Sequence, residues 1–417
     1  MKYETFESDC YNLYTIKTNK FKSCHAEIVF RSKCSIEEIT ASALLFDVLL
    51  DSTKEYSKRK DLVKKEQDLY NLNLYSVNSR VGNMMITSLA LDFLDPKYMD
   101  DSTLEEIFKL VFSVIFNPNV EDNEFNEEVF NRSKKKLLSE IEAVREDAKQ
   151  QSILSALKSL SKTEPFSFSA SGDANILKDI TPKKLYEFYK NFLENNMVDI
   201  YIIGNLDMKE VNKLIKKYSL FKSIKTNKIE LYLNEINAKK CKTIKSDADF
   251  GQMSMVNIYT LKNLDNYERD YVIPLFNLIW GSNSLDSKLY KTLRQDNALC
   301  YSVQTFYQKY DRLIILYTGI DKENADKTHS LINKTLSDMF KGYIEKKDLE
   351  NAKNMVLNSL NLIYDSPNRL IDNYLFSNIA SLPSIDERID EFKKVNADDL
   401  VKLSKKIHLA VDYRIGG

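Results

Sequence analysis

LLFDVLLDS (Leu44–Ser52) and PLFNLIWGS (Pro274–Ser282) decide how this chain of 417 residues is read. Both are apolar runs closed by a serine, and they stand 230 residues apart. Outward from them, LYSV at 74–77 returns as CYSV at 300–303, and SKKKLLSEI at 133–141 returns as AKNMVLNSL at 352–360. KKLYEFYKNFLENNMVDIYIIG, closing at Gly204, parallels DDLVKLSKKIHLAVDYRIG, closing at Gly416. Segments that recur in one order with slowly drifting offsets mark a duplicated unit, and a repeat of that length settles the architecture before any motif does. The chain reads as two homologous halves, 1–225 and 245–417, joined by a polar, lysine-rich linker at 226–244.

Each half has the same coarse layout. An alternating strand (AEIVF at 26–30; SMVNIYT at 254–260) precedes an apolar helix. Ser35 and Glu38 have capping-box spacing and start the first of these helices, which runs through Leu50. A second helix (59–72; 284–295) leads to paired strands (74–80 and 84–93; 299–307 and 313–319). Amphipathic helices follow (102–116 and 123–160; 321–342 and 346–364), and each half closes with a helix feeding a strand that ends on glycine. Elements grouped this way, without strict βαβ alternation, predict an α+β class. Each half is expected to be a mostly antiparallel sheet with helices packed on one face.

Composition removes several functions. Apolar residues make up 43% and charged residues 29%, an ordinary globular balance. Sixty basic residues against sixty-one acidic ones leave a net charge of −1, which excludes the basic footprint of a nucleic-acid binder. The nine glycines form neither GxGxxG nor GxxxxGK[ST], so the common phosphate-cradling loops are missing. Five cysteines, an odd number without CxxC, argue against a disulfide framework and for a reducing compartment. The N-terminal stretch has no apolar leader, so a cytoplasmic location is expected. No membrane span is expected either, because apolar runs such as YVIPLFNLIW are about half the roughly twenty residues that a bilayer requires. The short basic runs SKRK and SKKK read as solvated helix faces.

Nucleophilic and metal chemistry find little support in these residues. There is no GxSxG. The three histidines, His25, His329 and His408, include no i,i+4 pair. Cys24, His25 and Cys34 form a conceivable ligand set, but His25 and Cys24 would point to opposite faces of a strand, and the plain reading is structural.

The two-copy plan resembles the insulinase/pitrilysin family of zinc peptidases, which includes the mitochondrial processing peptidases, over nearly the whole chain. Family members carry HXXEH on the helix after the first strand, then a GT-type turn. A later helix supplies a glutamate as third ligand. Counting back from Ser52-Thr53, the motif positions fall on Ala43, Phe46 and Asp47, and the glutamate matches Glu140 in KKLLSEIEAVRED. A catalytic zinc takes three protein ligands and keeps a position open for water, with a base beside it. Ala43 and Phe46 offer no donor atom. Asp47 and Glu140 leave two carboxylates, no imidazole and no free base. This chain is therefore expected to hold no metal, with Phe46 in a core and Asp47 capping or meeting solvent.

SKLYKTLRQDNALCYSV (287–303) is similar to the family's C-terminal segment, where an arginine precedes a tyrosine by seven positions; these fall on Arg294 and Tyr301. The resemblance implies that the pair holds substrate backbone opposite the zinc and polarises the scissile carbonyl, work that a guanidinium and a phenol suit. The plain alternative leaves Arg294 paired with a surface acid and Tyr301 packed on the sheet. A half-site without metal implies a partner chain bearing HXXEH and the zinc, with an extended peptide as shared substrate and the paired halves curved into a clamshell. The chain most resembles the non-catalytic member of such a bacterial pair. That subfamily is labelled elongation factor P aminopentanol-modification-associated, although no residue here speaks of that factor. Two other readings stay open: a peptide-binding or scaffolding module with no role in chemistry, and an independent hydrolase with an unrecognised site.

Overall fold

The computed structural model describes residues 3–222, 229–236, 238, 240–281 and 284–417. They form two compact units, each built on one mostly antiparallel sheet, so the α+β class is as expected. The first unit comprises Met1–Glu142, Ser169–Leu231 and Tyr364–Ala380; the second comprises Ala143–Phe168, Tyr232–Ile363 and Ser381–Gly417. Each unit thus includes one segment from the other half of the sequence.

The first unit's sheet has six strands: β1 (Glu4–Glu7), β2 (Asn12–Lys17), β3 (Ser23–Lys33), β4 (Asn73–Val81), β5 (Met84–Leu94) and, after a short β6/β7 hairpin (Val120–Glu121 and Glu124–Phe125), β8 (Met197–Gly204). Their order is β1-β2-β8-β3-β5-β4, with only the β2–β8 pair parallel, so β4 lies at an edge. β4 and β5 turn through Gly82-Asn83, where Gly82 takes φ +56°, a sign that hairpin turns matching the strand twist require. Strand alternation divides the residues by face. Ala26, Ile28 and Phe30 join Leu89, Leu91, Val198 and Ile200 in a core with the helices Ile36–Leu49, Thr103–Phe116 and Pro182–Asn195. The opposite face carries His25, Glu27, Arg31, Asp92, Asp199 and Tyr201, by register. The helix Pro367–Ala380 meets it there, Asn378 donating to the Tyr201 hydroxyl at 2.9 Å and Asn368 to that of Tyr75 at 3.2 Å.

The second unit's sheet comprises β9 (Lys242–Ser246), β10 (Met253–Leu261), β11 (Cys300–Gln308), β12 (Leu313–Ile320) and β13 (Ile407–Ile415), in the order β11-β12-β10-β13-β9. β9 pairs parallel with β13 and begins at Lys242, inside the stretch read as linker; positions 226–228, 237 and 239 of that stretch lie outside the described residues. One sheet face packs Val256, Ile258, Ile315 and Val411 on Ala156 and Leu157 of the helix Ala148–Leu160. Trp280 is fully buried, 5.3 Å edge-on from Tyr259 and 5.8 Å from Phe276.

Two local expectations need correction. The helix expected over 123–160 is broken. β7 opens the stretch, a helix runs Glu127–Glu146, and a second runs Ala148–Leu160. Asp147 between the helices adopts an extended conformation, φ −76° and ψ 108°, and its carboxylate accepts from Gln150 N at 2.7 Å. An aspartate side chain that caps the next helix competes with continuing the last one. The capping box at Ser35 forms in its hydroxyl half: Ser35 accepts from Glu38 N at 3.1 Å, while the Glu38 carboxyl bonds Ser32.

Candidate functional site

The helix Ile36–Leu49 sets three of the four degenerate motif positions. Phe46 turns inward at 2% exposure, its ring 5.9 Å from that of Phe30 and 5.8 Å from that of Phe192. Ala43 is partly buried against the same core. Asp47, one turn beyond Ala43 and on its face, meets a side chain of the helix Glu127–Glu146. The Lys136 ammonium donates to Asp47 Oδ1 at 2.7 Å and lies 3.7 Å from Glu140 Oε1, one turn further along its own helix. Burial works against the Lys136 charge, but the hydrogen bond and charge of Asp47, then Glu140, outweigh it and hold the ammonium above the ordinary lysine range.

Beside this ion triplet is a cavity of about 440 Å³. Arg132, paired with Asp51, and Lys136 line one side; Leu74, Tyr75 and Ser76 of the edge strand β4 line another. Arg59 closes a third, its guanidinium donating to the Leu50 carbonyl at 2.5 Å. The residues at these positions do not fit a divalent ion. The donors are two carboxylates, and an ammonium already lies against both. Among the described residues no group of three or more His, Cys, Asp or Glu side chains is placed to hold a metal.

Arg294 and Tyr301 lie in the second unit. Ser287 caps a short helix, Lys288–Tyr290, which widens into a π-helical turn at Lys291–Gln295 that carries Arg294. The chain then reverses at Ala298, φ +51°, into β11. Cys300 is opposite Ile320 and Ser302 opposite Gly319, so Tyr301 is the extra residue of a β-bulge, a device that re-aims a side chain. Its side chain is 58% exposed. The Arg294 guanidinium donates to the Cys300 carbonyl at 3.2 Å and to the Tyr301 carbonyl. The sequence pair is therefore a structural pair, joined through backbone, with the phenol left outward.

One residue of the site escaped the motif search. Lys136 was missed although Lys136-x3-Glu140 is the i,i+4 spacing that joins opposite charges on a helix. His25 is no metal ligand beside Cys24 and Cys34. Its Nδ1 lies 2.8 Å from Asp92 and its Nε2 3.1 Å from Glu27. Cys24 faces the core, where burial pushes its thiol up to about 12.

Comparison with known proteins gives the same picture. The family model described as "Peptidase M16 inactive domain" matches residues 179–356. The Bacillus subtilis (strain 168) protein named "Probable inactive metalloprotease YmfF" is 24% identical over 409 residues, 97% of this chain and 95% of that protein. A conserved protein of Enterococcus faecalis V583 has a crystal structure that superposes with a TM-score of 0.93 at 21% identity, covering 100% of this chain and 99% of that one. The peptidase M16 inactive domain of Pseudomonas fluorescens superposes with a TM-score of 0.81 at 16% identity, covering 100% and 98%. Residues 179–356 thus match the M16 inactive-domain model, and over nearly its whole length the chain is similar to a protein named as an inactive metalloprotease. No helix among the described residues is long and apolar enough to cross a membrane.

Proposed function

We propose that this chain is the proteolytically inactive subunit of a two-chain, cytoplasmic insulinase-type peptidase. Its partner bears HXXEH and zinc, and this chain helps to position an extended peptide for that partner to cut. The observation that carries the reading is the contrast between its two half-sites. Asp47 and Glu140 are engaged by an ammonium, which has no coordination position to offer a water. Arg294 and Tyr301 are held together at the bulged start of an edge strand, with the phenol exposed. A phenol donor aimed at a peptide carbonyl stabilises negative charge as it develops, and one such donor typically contributes roughly a hundred- to a thousandfold in rate. Arg294 would act by fixing the backbone from which Tyr301 projects.

The test is peptide cleavage by the reconstituted pair. Tyr301→Phe and Arg294→Ala in this chain should each lower kcat by at least about tenfold, while the complex still forms. A doubly substituted chain that supports full cleavage sinks the in-trans role. A second reading, a peptide-binding or scaffolding module without a role in chemistry, draws on the cavity beside edge strand β4. Edge strands accept extended peptides by main-chain pairing. Peptide binding by this chain, combined with cleavage indifferent to both substitutions, selects that reading.

A further inference from the structure

We propose that Lys136 is a built-in cation that takes the place of the family's metal ion and keeps divalent metal out of the site. The inference rests on the reading that this chain is metal-free, and on Asp47 and Glu140 standing at two of the ligand positions. Its ammonium is 2.7 Å from one carboxylate and 3.7 Å from the other, so one tethered charge serves both. It reaches them because Lys136 is one helical turn before Glu140 and its stem spans to the neighbouring helix, which carries Asp47. Like an ion, it ties the two helices together through opposite charge. Unlike an ion, it cannot exchange and holds no water in a coordination position.

Lys136 itself is the barrier. Arg59 and Arg132 line the cavity beside it but are already paired, Arg59 with Glu66 and Arg132 with Asp51 and Glu128. An entering divalent ion would have to displace the Lys136 ammonium to reach its donors. Restoring imidazoles alone should therefore fail to restore metal affinity fully, because the competing charge remains in place. Coulomb repulsion at such separations is large even when softened by nearby solvent.

The experiment uses the purified full chain without a partner, so its result is independent of the subunit role. Ala43→His and Asp47→His are introduced together, leaving the buried Phe46 untouched, once with Lys136 retained and once with Lys136→Met. Zinc affinity is read by competition with a chromophoric chelator, and circular dichroism checks folding. The Lys136→Met background should bind zinc at least about tenfold more tightly. Equal affinity in the two backgrounds, measurable in both or in neither, overturns the proposal. If the imidazole variants do not fold, Lys136→Met alone is compared with the native chain for manganese, an ion that carboxylates suit. Manganese bound at fixed total concentration, counted by electron paramagnetic resonance, should rise at least about threefold; no rise overturns the proposal.

Discussion

His25 is held between two acids on the polar face of the first sheet, Nδ1 against Asp92 and Nε2 against Glu27, at 1% exposure. With a carboxylate at each ring nitrogen, both nitrogens donate, which requires the imidazolium. Burial would lower the pKa; hydrogen bonds and charges from Asp92 and Glu27 outweigh it and raise it to about 9. The folded value lies above the unfolded value of about 6.5. The stabilisation is therefore fully present below about pH 6.5 and is lost as the pH rises through 9. Urea titrations of the native chain and His25→Gln between pH 6 and pH 10 should show a stability gap that narrows across that window, and a constant gap refutes the charged state. From sequence, His25 was readable as structural, because no second imidazole stands near it in the chain. Its partners were not readable: Asp92 is 67 residues away, and only strand register brings it opposite. That Ala43 and Phe46 carry no donor atom was legible. Lys136 was not, because nothing in the local sequence says that its ammonium crosses to another helix.

At the scale of elements, strong periodicity was easy to read and competition was not. β3, β5, β10 and β12 appear in the sequence because one or both of their faces are apolar. The helix Pro367–Ala380 was missed although it buries Leu370, Ile371 and Leu375; polar residues break that short stripe, and Asn368 and Asn378 among them meet the polar sheet face. The stretch 123–160 misled for the opposite reason. Its amphipathic pattern continues through Asp147, where the backbone breaks. That break depends on the Asp147 carboxylate accepting from Gln150 N, one of the helix-end donors that otherwise lack a partner. Asp147→Ala should cost about 1 kcal/mol in a denaturant titration, and Asp147→Asn should recover most of it, since asparagine caps as well. Loss of equal size in both variants would show that charge, not capping, sets the break.

Over the whole molecule, the sequence repeat and the compact units do not coincide. Ala143–Phe168 belongs to the first repeat by sequence but to the second unit by packing, and Tyr364–Ala380 is the converse. The repeat was read from segments that recur in one order; this crossing was not legible, because contacts between distant segments leave no periodicity. Leu157 shows what the crossing means energetically. It is 4% exposed and packs with Val256, Ile258 and Val411 of the second sheet. Leu157→Ala removes apolar contact and leaves a cavity, at a cost of roughly 2–5 kcal/mol. Local stability varies across a fold, and backbone hydrogen exchange reads it segment by segment. In the Leu157→Ala chain, amides of β10, β12 and β13 should exchange faster, although all three strands are encoded about a hundred residues or more downstream, while those of β3 and β5 keep their protection. Faster exchange in β3 and β5, with the second sheet unchanged, would assign this helix to the unit of its own sequence half and reverse the packing described here.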